Sequence, residues 1–222
     1  MATIYDVLTY PERKRDASLE EKLDCAGVEL IPKGKKEVYG VPVLGKGWSS
    51  IVVYGVHHGA EVAVKIQRKD SPRRSLQREA FFLNMTNKYQ IGPRLYYAGD
   101  SFLVLEYIHG TPIREADIEK EHIIAFLGQC HTLDMLTIDH GQIQGGKHLL
   151  VGDKKCWIID FEKAGYRTCQ NVSSLMSELF LKKTQCAYRL RSQFGINKKD
   201  LITAVHNYKH GFNIKEILKV LE

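Results

Sequence analysis

Apolar and polar positions alternate with a period of two from Tyr39 to about Gln67. The segments "VYGVPVLGKG", "SSIVVYGV" and "AEVAVKI", the last two joined by a turn at "HHG", predict three consecutive antiparallel strands. The period then lengthens. Leu76, Glu79, Ala80 and Leu83 fall on one helical face, with Ser71 expected as the cap, Pro72 at the first position, and "IGP" at Ile91–Pro93 as the stop. Two further strands, "RLYYAGD" and "SFLVLEYI", precede a break at "GTP". Beyond it, helical stripes dominate: Ile123, Phe126, Leu127 and Cys130; Val172, Leu175, Met176, Leu179 and Phe180, with Asn171 as cap; and Ile214, Ile217, Leu218 and Leu221. A hairpin, "HLLV" with "CWIID", lies between the first two stripes. Ahead of the strands, residues 1–38 predict a polar leader holding one short helix, opened by Ser18 with Glu21 at capping-box spacing. The pattern predicts an α+β fold in two lobes: a five-stranded β lobe with one helix over residues 39–109, and a reduced, mainly helical lobe over 110–222.

Composition narrows the class. The chain has 222 residues, 44% hydrophobic and 26% charged, enough to bury a proper core. No apolar run approaches the roughly 20 residues needed to cross a bilayer, and the N-terminus lacks the charged-then-apolar order of a signal peptide. A soluble, cytoplasmic protein with no membrane partner is expected. The five cysteines are scattered, with no C-x-x-C pair, and read as reduced thiols rather than a disulfide frame or zinc site. A net charge of +6 favours anionic partners such as nucleotides, RNA or a ribonucleoprotein, although a solvated basic surface has the same signature. The densest basic run, Arg68 to Arg78, has no interleaved aromatics and does not read as a stacking platform.

Four stretches carry candidate chemistry. "LGKGWSSIVVY" places Leu44, Gly45, Lys46, Gly47, Ser50 and Val52 between two strands. Glycines there let backbone amides approach a phosphate, and they equally suit a tight turn. Lys65 ends an apolar strand and can aim its ammonium at the α and β phosphates of a nucleotide, or reach to solvent from an edge. Glu79, fourteen residues on, sits on an apolar helix stripe, where a charge needs a partner; Lys65 is the natural one. Glu106, Tyr107 and Ile108 end a buried strand at the lobe break, where a backbone could pair with an adenine edge. Asp160, closing "CWIID", suits Mg²⁺, which prefers carboxylate and phosphate oxygens, or caps a turn.

The order of these features resembles the protein-kinase-like superfamily in its small, atypical branch. The chain is similar to the RIO kinases and the KEOPS-associated kinase, and more so to an uncharacterised group of archaeal serine/threonine kinases whose loop reads H-G-E-L with a later K-H. The resemblance covers roughly residues 40–184. It implies an ATP-dependent serine/threonine protein kinase that binds Mg-ATP between two lobes and acts on a protein phosphoacceptor, on itself, or as an ATPase. It assigns Gly45 and Gly47 to the phosphate loop, Ala63 to the adenine pocket, Lys65 and Glu79 to an ion pair, and Asp160 to Mg²⁺. In "IDHGQIQGGKH", Gln142 stands where the family has its catalytic aspartate. The position of the second metal-binding residue falls on Lys147 by counting, or on His148 if one residue is inserted. His140 is expected to pack the loop.

Glutamine cannot take a proton, but its amide oxygen can orient a hydroxyl, and Lys147 could neutralise transferring charge. Three other readings remain: a nucleotide-binding pseudokinase regulator, favoured by Gln142; a small-molecule kinase of the choline or aminoglycoside type, suggested by "IDFE"; and a basic RNA-associated scaffold.

Overall fold

The computed structural model describes residues 2–72, 75–153 and 155–222. The chain is an α+β protein with antiparallel sheets and eight α-helices among the described residues. It divides into two compact units, residues 1–87 with 93–108, and residues 88–92 with 109–222.

The first unit contains α1 (Ile4–Val7), α2 (Ala17–Cys25), β1 (Val28–Ile31), β2 (Lys36–Val38), β3 (Val41–Val43), β4 (Gly45–Lys46), β5 (Ser50–His57), β6 (Ala60–Gln67), α3 (Gln77–Asn87), β7 (Leu95–Ala98) and β8 (Phe102–Glu106). Its main sheet has six strands, in the order β1-β5-β6-β8-β7 with β4 also on β5, where five were expected. The extra strand comes from the leader. Val28–Ile31 runs antiparallel to Tyr54–His57, and Gly55 makes this possible: a Cβ there would lie 2.6 Å from the Glu29 carbonyl oxygen. Of the segment "VYGVPVLGKG", expected as one strand of this sheet, only Gly45–Lys46 joins it; Val38 and Val41–Val43 belong to a separate β2–β3 hairpin, turned by Tyr39 and Gly40, both with positive φ.

Antiparallel partners share a face, so the register sorts the side chains. Ile51, Val53, Val62, Val64, Ile66, Phe102 and Val104 line one face and form one core with Ile4, Val7, Leu8, Leu19, Leu23, Val28 and Leu30. The leader is thus a structural layer that closes one side of the sheet. Val52, Ala63, Lys65, Leu103 and Leu105 share the opposite face, and α3 brings Glu79 to Lys65.

Two helix starts differ from expectation. Asp16, not Ser18, caps α2, its side chain accepting from the Leu19 amide at 3.1 Å. Helix α3 starts at Gln77 rather than after Ser71, whose amide bonds to the Arg68 carbonyl in a turn. The apolar stripe begins only at Leu76, so an earlier turn of helix would have nothing to bury.

The second unit contains β9 (Thr111–Pro112), α4 (Lys120–Met135), β10 (Ile138–Asp139), β11 (Leu149–Val151), β12 (Cys156–Ile158), β13 (Gly165–Tyr166), α5 (Asn171–Met176), α6 (Gln185–Gln193), α7 (Lys198–Gly211) and α8 (Lys215–Leu221). Helix α5 continues as a π-helical turn at Ser177–Leu181. The expected hairpin is present as β11–β12, and the "GTP" break supplies β9 as its third strand. The five cysteines are free. No helix among the described residues is long and apolar enough to cross a membrane.

The leader's role is testable. Leu23 is buried in the core on the sheet, so Leu23→Ala should cost about 2–5 kcal/mol in urea denaturation. Exposed Glu21→Ala on the same helix should stay within about 0.5 kcal/mol of wild type.

Candidate functional site

In the first unit, the centre of interest is an ion pair. Lys65 lies on β6, a central strand between β5 and β8, so it cannot reach solvent from an edge. Its Nζ is 2.9 Å from Glu79 Oε1 and 2.7 Å from Oε2, and both residues are buried, at 4% and 3% exposure. Removing two charges from water is costly, and the pair persists because each neutralises the other at contact distance.

The glycine-rich turn is tight. The Gly47 amide donates to the Ser50 carbonyl at 2.8 Å, and Arg68 Nη1 donates to the Gly47 carbonyl at 2.8 Å. Neither Gly45 nor Gly47 has a positive φ, and a Cβ at either would make ordinary contacts of 3.4 Å or more. The fold itself therefore does not demand glycine at these places. Lys46 pairs with Ile51, which puts it on the leader face, opposite Lys65; its Nζ lies over the Tyr10 ring. Leu44, Val52 and Ala63 are half-buried. At the end of β8, the Glu106 amide donates to the Arg94 carbonyl and the Tyr107 amide to the Glu61 carbonyl. Of the three expected adenine-edge residues, Ile108 alone has an amide with no hydrogen bond among the described residues.

The second unit holds the loop of Ile138 to His148 by polar hubs. His140 is fully buried. Its backbone amide donates to Asn171 Oδ1 at 2.9 Å, its Nε2 sits 3.1 Å from the Ile159 carbonyl, and Phe161 packs edge-on against its ring. Burial, reinforced by nearby His148, lowers its pKa to about 4. Gly141 follows with φ of 74°, and Arg167 Nη2 fills the place a Cβ would take. Asp139 Oδ2 accepts from Arg167 Nε at 2.5 Å. Gln142 is half-buried, and its Oε1 makes no hydrogen bond among the described residues. Lys147 is exposed, whereas His148 is buried with Nδ1 3.4 Å from Asp160 Oδ2. Of the two residues considered for the second-metal position, His148 is the one beside Asp160.

Asp160 has a left-handed backbone, φ 66° and ψ 74°, rare outside glycine and frequent where a side chain is aimed at a ligand. A carboxylate oxygen of Glu162 comes within 4.8 Å of one of Asp160. Two carboxylates at that spacing fit a hard divalent cation such as Mg²⁺, which would supply charge neutralisation to bound phosphate oxygens.

Three polar residues here carry no periodic signature. Asp134 on α4 accepts from the Asn171 amide and Nδ2, from the Val172 amide and from the Tyr208 hydroxyl. Asn171, expected as a helix cap, is instead the first helical residue and a buried hub, its Nδ2 also donating to the Ile138 carbonyl. Glu178, in the π turn, accepts from the Gly145 amide, Arg114 and Lys182. Burial opposes its ionisation, but these donors, Lys182 foremost, hold its carboxyl below the usual range. Glu162, four residues past the strand, had only the "IDFE" string to mark it.

No family model matches the chain. Uncharacterized protein MJ1211 of Methanocaldococcus jannaschii is 35% identical to it over 83 residues, 34% of this chain and 72% of that protein. The chain belongs to the family of that archaeal protein. Membership in the MJ1211 family carries no activity with it, because the relative is itself uncharacterised, and the chemistry must be argued from the residues.

Two outcomes follow from the geometry. Glu79→Ala strands the buried Lys65 ammonium and should cost about 3–5 kcal/mol; unchanged denaturation would mean the pair is not formed in solution. His140 has a folded pKa of about 4 against 6.5 when free, so its stabilisation is complete above pH 6.5 and is lost as pH falls toward 4. This amounts to about 3 kcal/mol, read from urea midpoints against pH, and His140→Gln should flatten that limb.

Proposed function

We propose that the protein is an atypical ATP-dependent serine/threonine kinase that binds Mg-ATP, with autophosphorylation or ATP hydrolysis among its outputs. The observation that carries this reading is the buried Lys65–Glu79 pair on the central strand β6. An ammonium held rigidly on a sheet face, beside half-buried Val52 and Ala63, is suited to nucleotide phosphates. The glycines at 45 and 47 agree with it, since the fold does not need them and a close-approaching ligand would. Asp160 with Glu162 would hold Mg²⁺. The Gln142 amide oxygen would accept the hydrogen bond of an incoming hydroxyl and orient it, while the acceptor's proton leaves to solvent or to the transferring phosphate. Phosphoryl transfer depends mostly on positioning and charge stabilisation, so such a site works slowly without a general base. Cytoplasmic location belongs to the same proposal. Gln142 also favours a second reading, a pseudokinase that binds nucleotide without turnover.

ATP with Mg²⁺ should raise the melting temperature by mass action. Lys65→Ala should reduce that shift, and Asp160→Asn should remove its Mg²⁺ dependence. No shift at millimolar nucleotide would overturn the kinase and pseudokinase readings together. With γ-labelled ATP, Gln142→Asp should raise phosphotransfer by up to about 10²–10⁴-fold. Binding without turnover in both wild type and Gln142→Asp would leave the pseudokinase.

A further inference from the structure

The tip of the glycine-rich turn carries Trp48 at 78% exposure, the most exposed large hydrophobic residue described. An indole so placed gains nothing from the fold. Its perch is rigid: the Gly47 amide bonds to the Ser50 carbonyl, the Arg68 amide to the Ser49 carbonyl, and the Arg68 guanidinium to the Gly47 carbonyl. The surroundings are cationic and aromatic. Lys46 Nζ stands 4.2 Å and Arg68 Cζ 4.7 Å from the centre of the Tyr10 ring. Tyr10 packs on Tyr39 at 5.7 Å, and Arg13 lies over Tyr39 at 5.2 Å. Arg68 and Lys69 are paired with Asp70 and Asp16. Arg13, Lys14 and Lys46 are exposed, and no carboxylate pairs with them among the described residues. The basic run at 68–78 has no aromatics of its own; the fold supplies them from the leader, the β2–β3 hairpin and the turn.

We propose that this surface binds single-stranded nucleic acid, a base stacking on Trp48 and the flanking phosphates lying along Lys46, Lys14 and Arg13. Every base offers a face to an indole, and a polyanion answers cations that no carboxylate pairs at contact distance. The net charge of +6 acts in the same direction at longer range. A preset turn also loses little freedom on binding. Lys46 lies on the leader side of the sheet rather than the Lys65 side, so the phosphates of this surface and those of the proposed nucleotide would meet opposite faces of the shared turn.

The test is fluorescence anisotropy of a labelled 12-mer oligouridine with the full chain, from 50 to 300 mM KCl. Binding should weaken with salt. Trp48→Ala should lower affinity at least about fivefold with an unchanged melting temperature, while Trp48→Phe keeps most of it. Lys46→Glu and Arg13→Glu should each flatten the salt slope, and saturating Mg-ATP should leave binding in place. The proposal is overturned if no binding occurs at 50 mM KCl, if Trp48→Ala binds like wild type, if a duplex of equal length binds as tightly, or if polyaspartate displaces the oligonucleotide at equal charge. The last result would identify an acidic protein as the partner.

Discussion

A lysine and a glutamate buried against each other on the middle of a sheet constrain the whole first unit. Hydrophobic residues of similar volume would serve stability at least as well at such a place. Keeping the charges obliges α3 to hold its register against β6, since a slip of one residue would leave two ions bare. Apart from the pair, the Lys65 face carries buried Leu103 and Leu105, and a larger apolar cluster lies on the other face. There the N-terminal helices and β1 close over Val53, Val62, Val64 and Val104. The ion pair and the leader are thus two sides of one arrangement: the chain can set charge on one face because the other is sealed.

The second unit solves a different problem, that of fixing a loop with little regular structure. From Ile138 to His148 the chain forms only a two-residue strand, so its shape rests on side-chain hydrogen bonds. Asp134 and Asn171 hold its entry, Arg167 and Asp139 its first turn, and Glu178 its glycines. All but the exposed Arg167 are buried or half-buried polar groups with satisfied partners, which rigidifies more than apolar packing would. Against this background the Gln142 amide oxygen, buried with no bond among the described residues, stands out as an acceptor held ready for a donor.

The sequence made the pair Lys65–Glu79 legible because each residue was anomalous alone: a cation on an apolar strand and a carboxylate on an apolar helix stripe. The β5–β6 and β11–β12 hairpins and the main helical stripes were legible for the same reason that periodicity reports burial. The leader's strand was not. "VELI" has only two inward positions, Val28 and Leu30, too few for alternation to register, and its partner Gly55 lies far along the chain. Asn171 was misread because its type suits a cap, whereas its actual partners, Asp134 and His140, are set by tertiary contact. Lys46 was assigned to the nucleotide by its motif, and strand alternation turned it to the other face. Such polar hubs leave no periodic trace, so pattern alone cannot find them.

The sealing of the sheet by the leader imposes an order on biosynthesis. Ile4, Val7, Leu8, Leu19 and Leu23 are synthesised well before Phe102 and Val104, which complete the surface they cover. At about 5–20 residues per second, the nascent chain displays an uncovered apolar segment for roughly 5–20 seconds. Closing contacts between such distant parts of the chain is slow as well. The apolar positions between Ile4 and Leu30 therefore stay exposed to other chains during an interval that ends with the synthesis of β8.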